Sequence, residues 1–164
     1  MNPSLIKSGT VLKCRFPYDD APHSPGPKTH FCLAVDTPLE HRGRTYVVVA
    51  YGTSRIDDDL LDAHQGVVLT VKSSFIKGDP LPKDRGHFLL DHVALLPLTE
   101  EWVLPFRAEF DFLTEEQRGT DPQRYEIWRA FEFSKSLMFR ATHAVLEHFL
   151  KTNKVGIIPG AKLR

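Results

Sequence analysis

Hydrophobic and polar residues over the first hundred positions form short runs that predict strands. The segment Gly9–Phe16 alternates apolar and polar side chains, the period-two pattern of a strand with one solvated face. Further apolar runs predict strands at residues 31–36, 46–51, 67–71 and 87–98. The run Tyr46–Tyr51 is apolar on both faces, so we predict a central strand that is covered on both sides.

Segments rich in proline and glycine separate these runs. Pro17–Lys28 contains four prolines and an acidic pair, and His41–Arg44 predicts a turn into the central strand. No helical period occurs between the predicted strands. Strands at this spacing are typical of a small antiparallel barrel, so we expect a mainly β fold.

The pattern changes after Thr99. Residues 100–113 read as a mixed connector, and Thr120-Asp121-Pro122 is a typical helix start because a capping side chain precedes a proline. Apolar residues then recur at helical spacing to about Lys151, which predicts one long helix or two helices with a break at Ser134–Ser136. The stripe comprises Ile127, Phe131, Met138, Ala141, Val145 and Phe149. We therefore expect a barrel at 1–98 and, at 99–164, a connector and helical extension packed on the barrel or on a partner chain.

Charge and hydropathy exclude some functions. The 164 residues contain 21 Lys+Arg and 21 Asp+Glu, so the formal net charge is zero and the basic footprint of a nonspecific nucleic-acid binder is missing. A locally positive site remains compatible with this balance. The longest apolar runs are too short to span a bilayer, and the N-terminal residues lack a secretory pattern, so we expect a cytoplasmic protein without a membrane partner.

Cofactor and metal signatures do not stand out. The phosphate-loop and dinucleotide patterns are missing, and His143 and His148 are five residues apart, which is not the i, i+4 spacing of a helical metal pair. We expect neither a cofactor nor a metal. Cys14 and Cys32 fall in predicted strands, which favours buried thiols over a disulfide framework.

The order of four segments resembles the PemK/MazF family of plasmid-maintenance and growth-inhibitor toxins. These segments are GTVLKCRFPYDD, PGPK-x-H-F-x-L-A-V, VVVAYGTSR and FLLDHVALLPL, and the resemblance covers residues 9–98. It implies an SH3-like small β-barrel, to which this chain adds a C-terminal helical extension, and a homodimer. It also implies a metal-independent, sequence-selective endoribonuclease that cleaves single-stranded RNA to a 2′,3′-cyclic phosphate and is neutralised by an antitoxin protein.

The resemblance assigns roles to individual residues. Thr53 matches the threonine that helps to hold the scissile phosphate, and Asp91 matches the aspartate of a later motif in which His92 replaces glutamine. His30-Phe31 occupies the place of the Arg-Pro dipeptide, so the usual catalytic arginine is missing there. The part after residue 98 has no counterpart in the compact toxins of this family.

Metal-free RNA cleavage needs a base for the 2′-hydroxyl, donors to the phosphate and an acid for the leaving 5′-oxygen. Histidine titrates near neutrality, so His30 is our candidate for the proton-transfer role, with Thr53 and Asp91 as the other catalytic candidates. The candidate RNA-binding residues are Lys28, Ser54, Arg55 and His92.

Two alternatives remain open from the sequence. The first is a catalytically inactive barrel that binds a peptide or nucleic acid as a regulatory module. The second is a structural protein whose C-terminal helix mediates dimerisation.

Overall fold

The computed structural model describes residues 2–54, 68–78, 85–110 and 119–159. In this part of the chain, eight strands form one antiparallel sheet, which two helices follow. The strands are β1 (Thr10–Cys14), β2 (His30–Ala34), β3 (Leu39–His41), β4 (Arg44–Thr53), β5 (Val68–Lys72), β6 (Ile76–Gly78), β7 (Arg85–Pro97) and β8 (Val103–Phe110). The order across the sheet is β5-β7-β4-β2-β1-β8-β6, and β3 pairs with β4.

The sheet is strongly curled. β5 and β6 lie at opposite ends of this order, yet only the three-residue 3₁₀ turn Ser73–Phe75 connects them. The two edges therefore lie close together in space, although within the described residues no ladder joins β5 to β6. The mainly β prediction is confirmed at this level, as a curled antiparallel sheet with a C-terminal helical part.

The helices cover one face of the sheet. α1 (Pro122–Phe133) contacts β5, and α2 (Lys135–Thr152) contacts β7. Asp121 caps α1 by accepting hydrogen bonds from the backbone N–H groups of Gln123 and Arg124, as the sequence predicts. The predicted break also occurs, because Ser134 separates the two helices.

The predicted helical stripe is confirmed as core. Phe131, Met138, Val145 and Phe149 are buried in one cluster with Val48 and other residues of the sheet. The opposite face of the sheet buries a second cluster, which Ile6, Trp102 and Ile157 complete from outside the strands. β4 lies between these two clusters, so the prediction of a central strand covered on both sides is confirmed.

The β3–β4 hairpin confirms the predicted turn. His41 pairs with Arg44, so Arg42 and Gly43 form a two-residue connection. Both have positive φ, 50° and 75°, as the tight turns favoured between antiparallel strands require.

The sequence prediction of a connector at residues 100–113 is wrong over much of its length. β8 lies there and pairs with β1, so the sheet continues past residue 98. The register shifts at Leu12 and Lys13, which pair with Arg107 and Leu104, and leaves Pro105 in a bulge. Proline cannot donate to a ladder, and a bulge is where a strand tolerates it.

Neither helix is long and apolar enough to cross a membrane, in a search that covered the described residues.

Candidate functional site

His30 begins β2 and lies among aromatic rings. Its imidazole is 4.9 Å from the ring of Tyr51 on β4 and 6.4 Å from the ring of Tyr18 in the loop after β1, between centroids. His30 is half-buried, and its Nε2 atom is buried with no hydrogen-bond partner among the described residues. A buried nitrogen without a partner is unusual in a folded protein.

The surroundings of His30 favour its neutral form. Burial lowers the pKa of His30, a hydrogen bond with the backbone of Gly52 acts in the opposite direction, and the Lys28 ammonium lowers it further. The net shift is downward, so at neutral pH the imidazole is mainly unprotonated. A neutral imidazole can accept a proton, which is what a general base requires.

A wide bulge in β7 brings His92 to the same aromatic cluster. Ala50 pairs with Val93 and Tyr51 with Leu89, so three residues of β7, including Asp91 and His92, have no opposite residue on β4. The bulge directs the His92 ring onto Tyr51 (5.6 Å) and Phe16 (5.0 Å). Asp91 is half-buried and precedes His92 in this bulge.

Thr53, at the end of β4, lies opposite His30 when the register of the two strands is continued. Leu33 pairs with Ala50 and Ala34 with Val49, and three further steps align His30 with Thr53. The strands remain in contact there, because a Cβ atom on Gly52 would collide with the Phe31 carbonyl oxygen.

The same line of residues extends across two more strands. Thr53 pairs with His87 on β7, and His87 pairs with Thr70 on β5. Thr70 Oγ1 and His87 Nδ1 are hydrogen-bonded at 2.8 Å. Directly opposite residues of an antiparallel pair project to the same face, so these side chains form one row. We call His30, Thr53, His87 and Thr70 the polar row.

At its β2 end the polar row lies on the sheet face opposite the helices, whereas Thr70, at the β5 end, lines a cavity together with Pro122 and Glu126 of α1. Phe31 and Leu33 of β2 pack into the cluster that includes the helices, whereas Cys32 and Ala34 pack into the second cluster. Because side chains alternate along a strand, His30 shares its face with Cys32 and Ala34. Thr70 is exposed and the other three members are half-buried, so the row is open to solvent at its β5 end.

Of the remaining RNA-binding candidates, the structure describes Lys28 and Ser54 but not Arg55. Lys28 is exposed and near enough to His30 to influence its pKa, and Ser54 is exposed directly after Thr53. Arg55 lies outside the described residues. The structure thus groups His30 with Thr53 through strand register and with His92 through Tyr51.

Sequence reasoning missed Tyr51, Tyr18 and the part played by His87. Burial raises the pKa of the Tyr51 hydroxyl, with smaller contributions from Cys32 and Tyr18, so this ring stays neutral at physiological pH. No local motif marks these residues, since strand register brings them together. The alternation of apolar and polar residues at the start of β7 does place His87 on the less buried face. This is the one sequence signal that could have pointed to His87.

The two cysteines lie in the buried cluster next to His30. Cys14 and Cys32 are fully buried and free, and burial raises the pKa of Cys14, which the neighbouring Cys32 reinforces. Among the described residues, no group of three or more His, Cys, Asp or Glu side chains is placed so that it could hold a metal ion.

No protein-family model matches the chain, and no curated protein sequence matches it significantly.

Proposed function

We propose that this chain is a PemK/MazF-like toxin, a metal-independent endoribonuclease that cleaves single-stranded RNA. The observation that carries the proposal is the β2–β4 register, which aligns His30 with Thr53 when it is continued from the pairs Leu33–Ala50 and Ala34–Val49. Neighbouring antiparallel strands are about 5 Å apart, so both side chains can reach one phosphodiester.

Each residue has a defined part in this reaction. The neutral His30 imidazole removes the proton of the 2′-hydroxyl, whose oxygen attacks the phosphorus and displaces the 5′-oxygen. The Thr53 hydroxyl donates a hydrogen bond to a phosphate oxygen, and its effect is greatest as negative charge develops there. Lys28 contributes positive charge at the entrance, and the His92 and Tyr51 rings offer stacking surfaces for a base. Asp91, in the β7 bulge, remains a catalytic candidate, and Ser54 and Arg55 remain candidates for RNA binding.

The proposal includes a fold and an assembly. The curled sheet and the short connection between its edge strands support an SH3-like barrel. A homodimer and an antitoxin partner are part of the proposal, as is a cytoplasmic location where RNA is available. The exposed aromatic rings of Phe133 and Phe139 on the helices are compatible with contact to another chain.

The direct test incubates the purified chain with mixed-sequence RNA in the presence and absence of EDTA. We expect cleavage that persists in EDTA and yields 2′,3′-cyclic phosphate and 5′-hydroxyl ends. His30→Gln should lower the rate by about 10²–10⁴-fold, the usual contribution of a general acid or base. Cleavage abolished by EDTA, or a folded His30→Gln variant with the full rate, contradicts this mechanism.

One observation favours a second candidate, an inactive barrel that binds RNA or a peptide. The Nε2 atom of His30 is buried, so a substrate reaches it only after a neighbouring ring moves. Fluorescence anisotropy with labelled single-stranded RNA separates the two candidates. Salt-dependent binding without any cleavage would replace the endoribonuclease by the binding module.

A further inference from the structure

The polar row contains a second histidine, to which the family resemblance assigns no role. His87 lies on the other side of Thr53 from His30, in direct register with Thr53. Two inter-strand spacings separate the two histidine backbones, roughly 10 Å. Two imidazoles at this separation can approach opposite sides of one phosphodiester held at Thr53.

His87 is held in a defined orientation. Its Nδ1 atom bonds the hydroxyl of Thr70 at 2.8 Å, which leaves Nε2 as the ring nitrogen for other contacts. The His87 side chain is half-buried beside the exposed Thr70, at the open end of the row. A nucleic-acid strand therefore meets His87 without passing the rings around His30.

We propose that His87 is the general acid of the RNA cleavage, donating a proton to the leaving 5′-oxygen. This inference rests on the proposed function. The 2′-hydroxyl proton passes to neutral His30, the O2′–P bond forms, the P–O5′ bond breaks, and O5′ takes the proton of protonated His87. The products are a 2′,3′-cyclic phosphate and a 5′-hydroxyl, and proton exchange with water restores both imidazoles.

In the free chain the surroundings of both histidines favour the neutral form, which suits a base at His30. Burial lowers the pKa of His87, and Arg85 lowers it further, so a bound phosphate is needed to protonate it near neutrality because an adjacent anion raises a histidine pKa. Three charged groups of the described residues face His87: Arg85, Lys72 and, from α1, Glu126, which lines the same cavity as Thr70 and Arg85. The titratable and charged groups on the His30 side are Lys28, Tyr18, Tyr51, His92, Cys14 and Cys32.

The test compares two RNA substrates that differ in the leaving atom. In the first the leaving atom is the natural 5′-oxygen, and in the second it is a bridging 5′-sulfur, whose thiolate leaves without protonation. We expect His87→Gln to slow cleavage of natural RNA by about 10²–10⁴-fold and of the sulfur-bridged substrate by less than about 10-fold. In the unaltered chain, deprotonation of the acid should make the cleavage rate of natural RNA fall at high pH. The pH–rate profile of His87→Gln should lack this fall. His30→Gln should slow both substrates, because the base is needed for either leaving group.

The control is His143→Gln, since that side chain is 83% exposed on α2. Equal losses on both substrates for a folded His87→Gln variant, or no loss on either, would contradict the acid role while leaving the proposed function in place. If the unaltered chain cleaves neither substrate, the proposed function fails and this inference fails with it.

Discussion

The imidazole of His30 packs on the phenol ring of Tyr51, with 4.9 Å between the ring centroids. The same phenol also contacts the His92 ring, at 5.6 Å. Tyr51 therefore joins the start of β2 to the bulge of β7 through side chains. The Tyr51 ring thus helps to position both His30 and His92.

Replacing Tyr51 by leucine tests this role. Tyr51→Leu removes the ring contacts with Phe16, His30 and His92, each worth about 0.5–1.5 kcal/mol, and should lower the free energy of unfolding by about 1.5–4.5 kcal/mol. Tyr51→Phe keeps the ring and should stay within about 1 kcal/mol of the unaltered chain. Urea denaturation followed by circular dichroism measures both variants. If leucine and phenylalanine are equally well tolerated, the ring does not position its neighbours.

Gly52 allows β2 and β4 to approach closely next to His30 and Thr53. A Cβ atom there would meet the backbone carbonyl of Phe31, which cannot swing away as a side chain can. We expect Gly52→Ala to cost at least about 3 kcal/mol of stability, at the upper end of overpacking effects, and to separate His30 from Thr53.

Gly43 provides the matched comparison for Gly52→Ala. A Cβ atom at Gly43 would have no atom within 4 Å. An alanine there therefore loses stability only through the positive φ of 75°, which costs about 1–2 kcal/mol. Gly43→Ala should therefore be the milder of the two alanine variants in the same denaturation experiment. The opposite order would contradict the close approach of β2 and β4.

Stability should fall as the pH is lowered from about 7.5 to 5. The pKa values of His30 and His87 are lowered in the folded chain, whereas in the unfolded chain both are near the ordinary value of about 6.5. Below that value the unfolded chain binds more protons than the folded chain, so the free energy of unfolding decreases as pH decreases. His30→Gln should reduce the difference between pH 7.5 and pH 5. An unchanged difference would show that His30 is not shielded from protonation.

The sequence predicts the positions of the strands better than it predicts how the strands pair. Alternation identifies β1, and a run that is apolar on both faces identifies β4, because side-chain burial follows the strand period directly. β8 is missed because Pro105 interrupts its pattern, and only pairing with β1 shows that the interruption is a bulge.

The candidate site, too, can be predicted in part from the sequence, and the rest depends on how the strands pair. His30 and Thr53 can be proposed from the sequence because a family resemblance marks their positions. Tyr51 and His87 cannot be added in that way, since their proximity arises from the register of β2, β4 and β7 and from a three-residue bulge. Register depends on long-range packing, which a single sequence does not specify locally.

The most direct test of the endoribonuclease is the single-turnover cleavage rate of Thr53→Val in EDTA. Valine keeps the shape of threonine and removes the hydroxyl proposed to donate to the phosphate. We expect the rate to fall by about 10²–10³-fold, as for the loss of one donor to a developing oxyanion, while Thr37→Val, an exposed position after β2, keeps the full rate. Equal rates for Thr53→Val and the unaltered chain, or no RNA cleavage by the unaltered chain, would contradict the account.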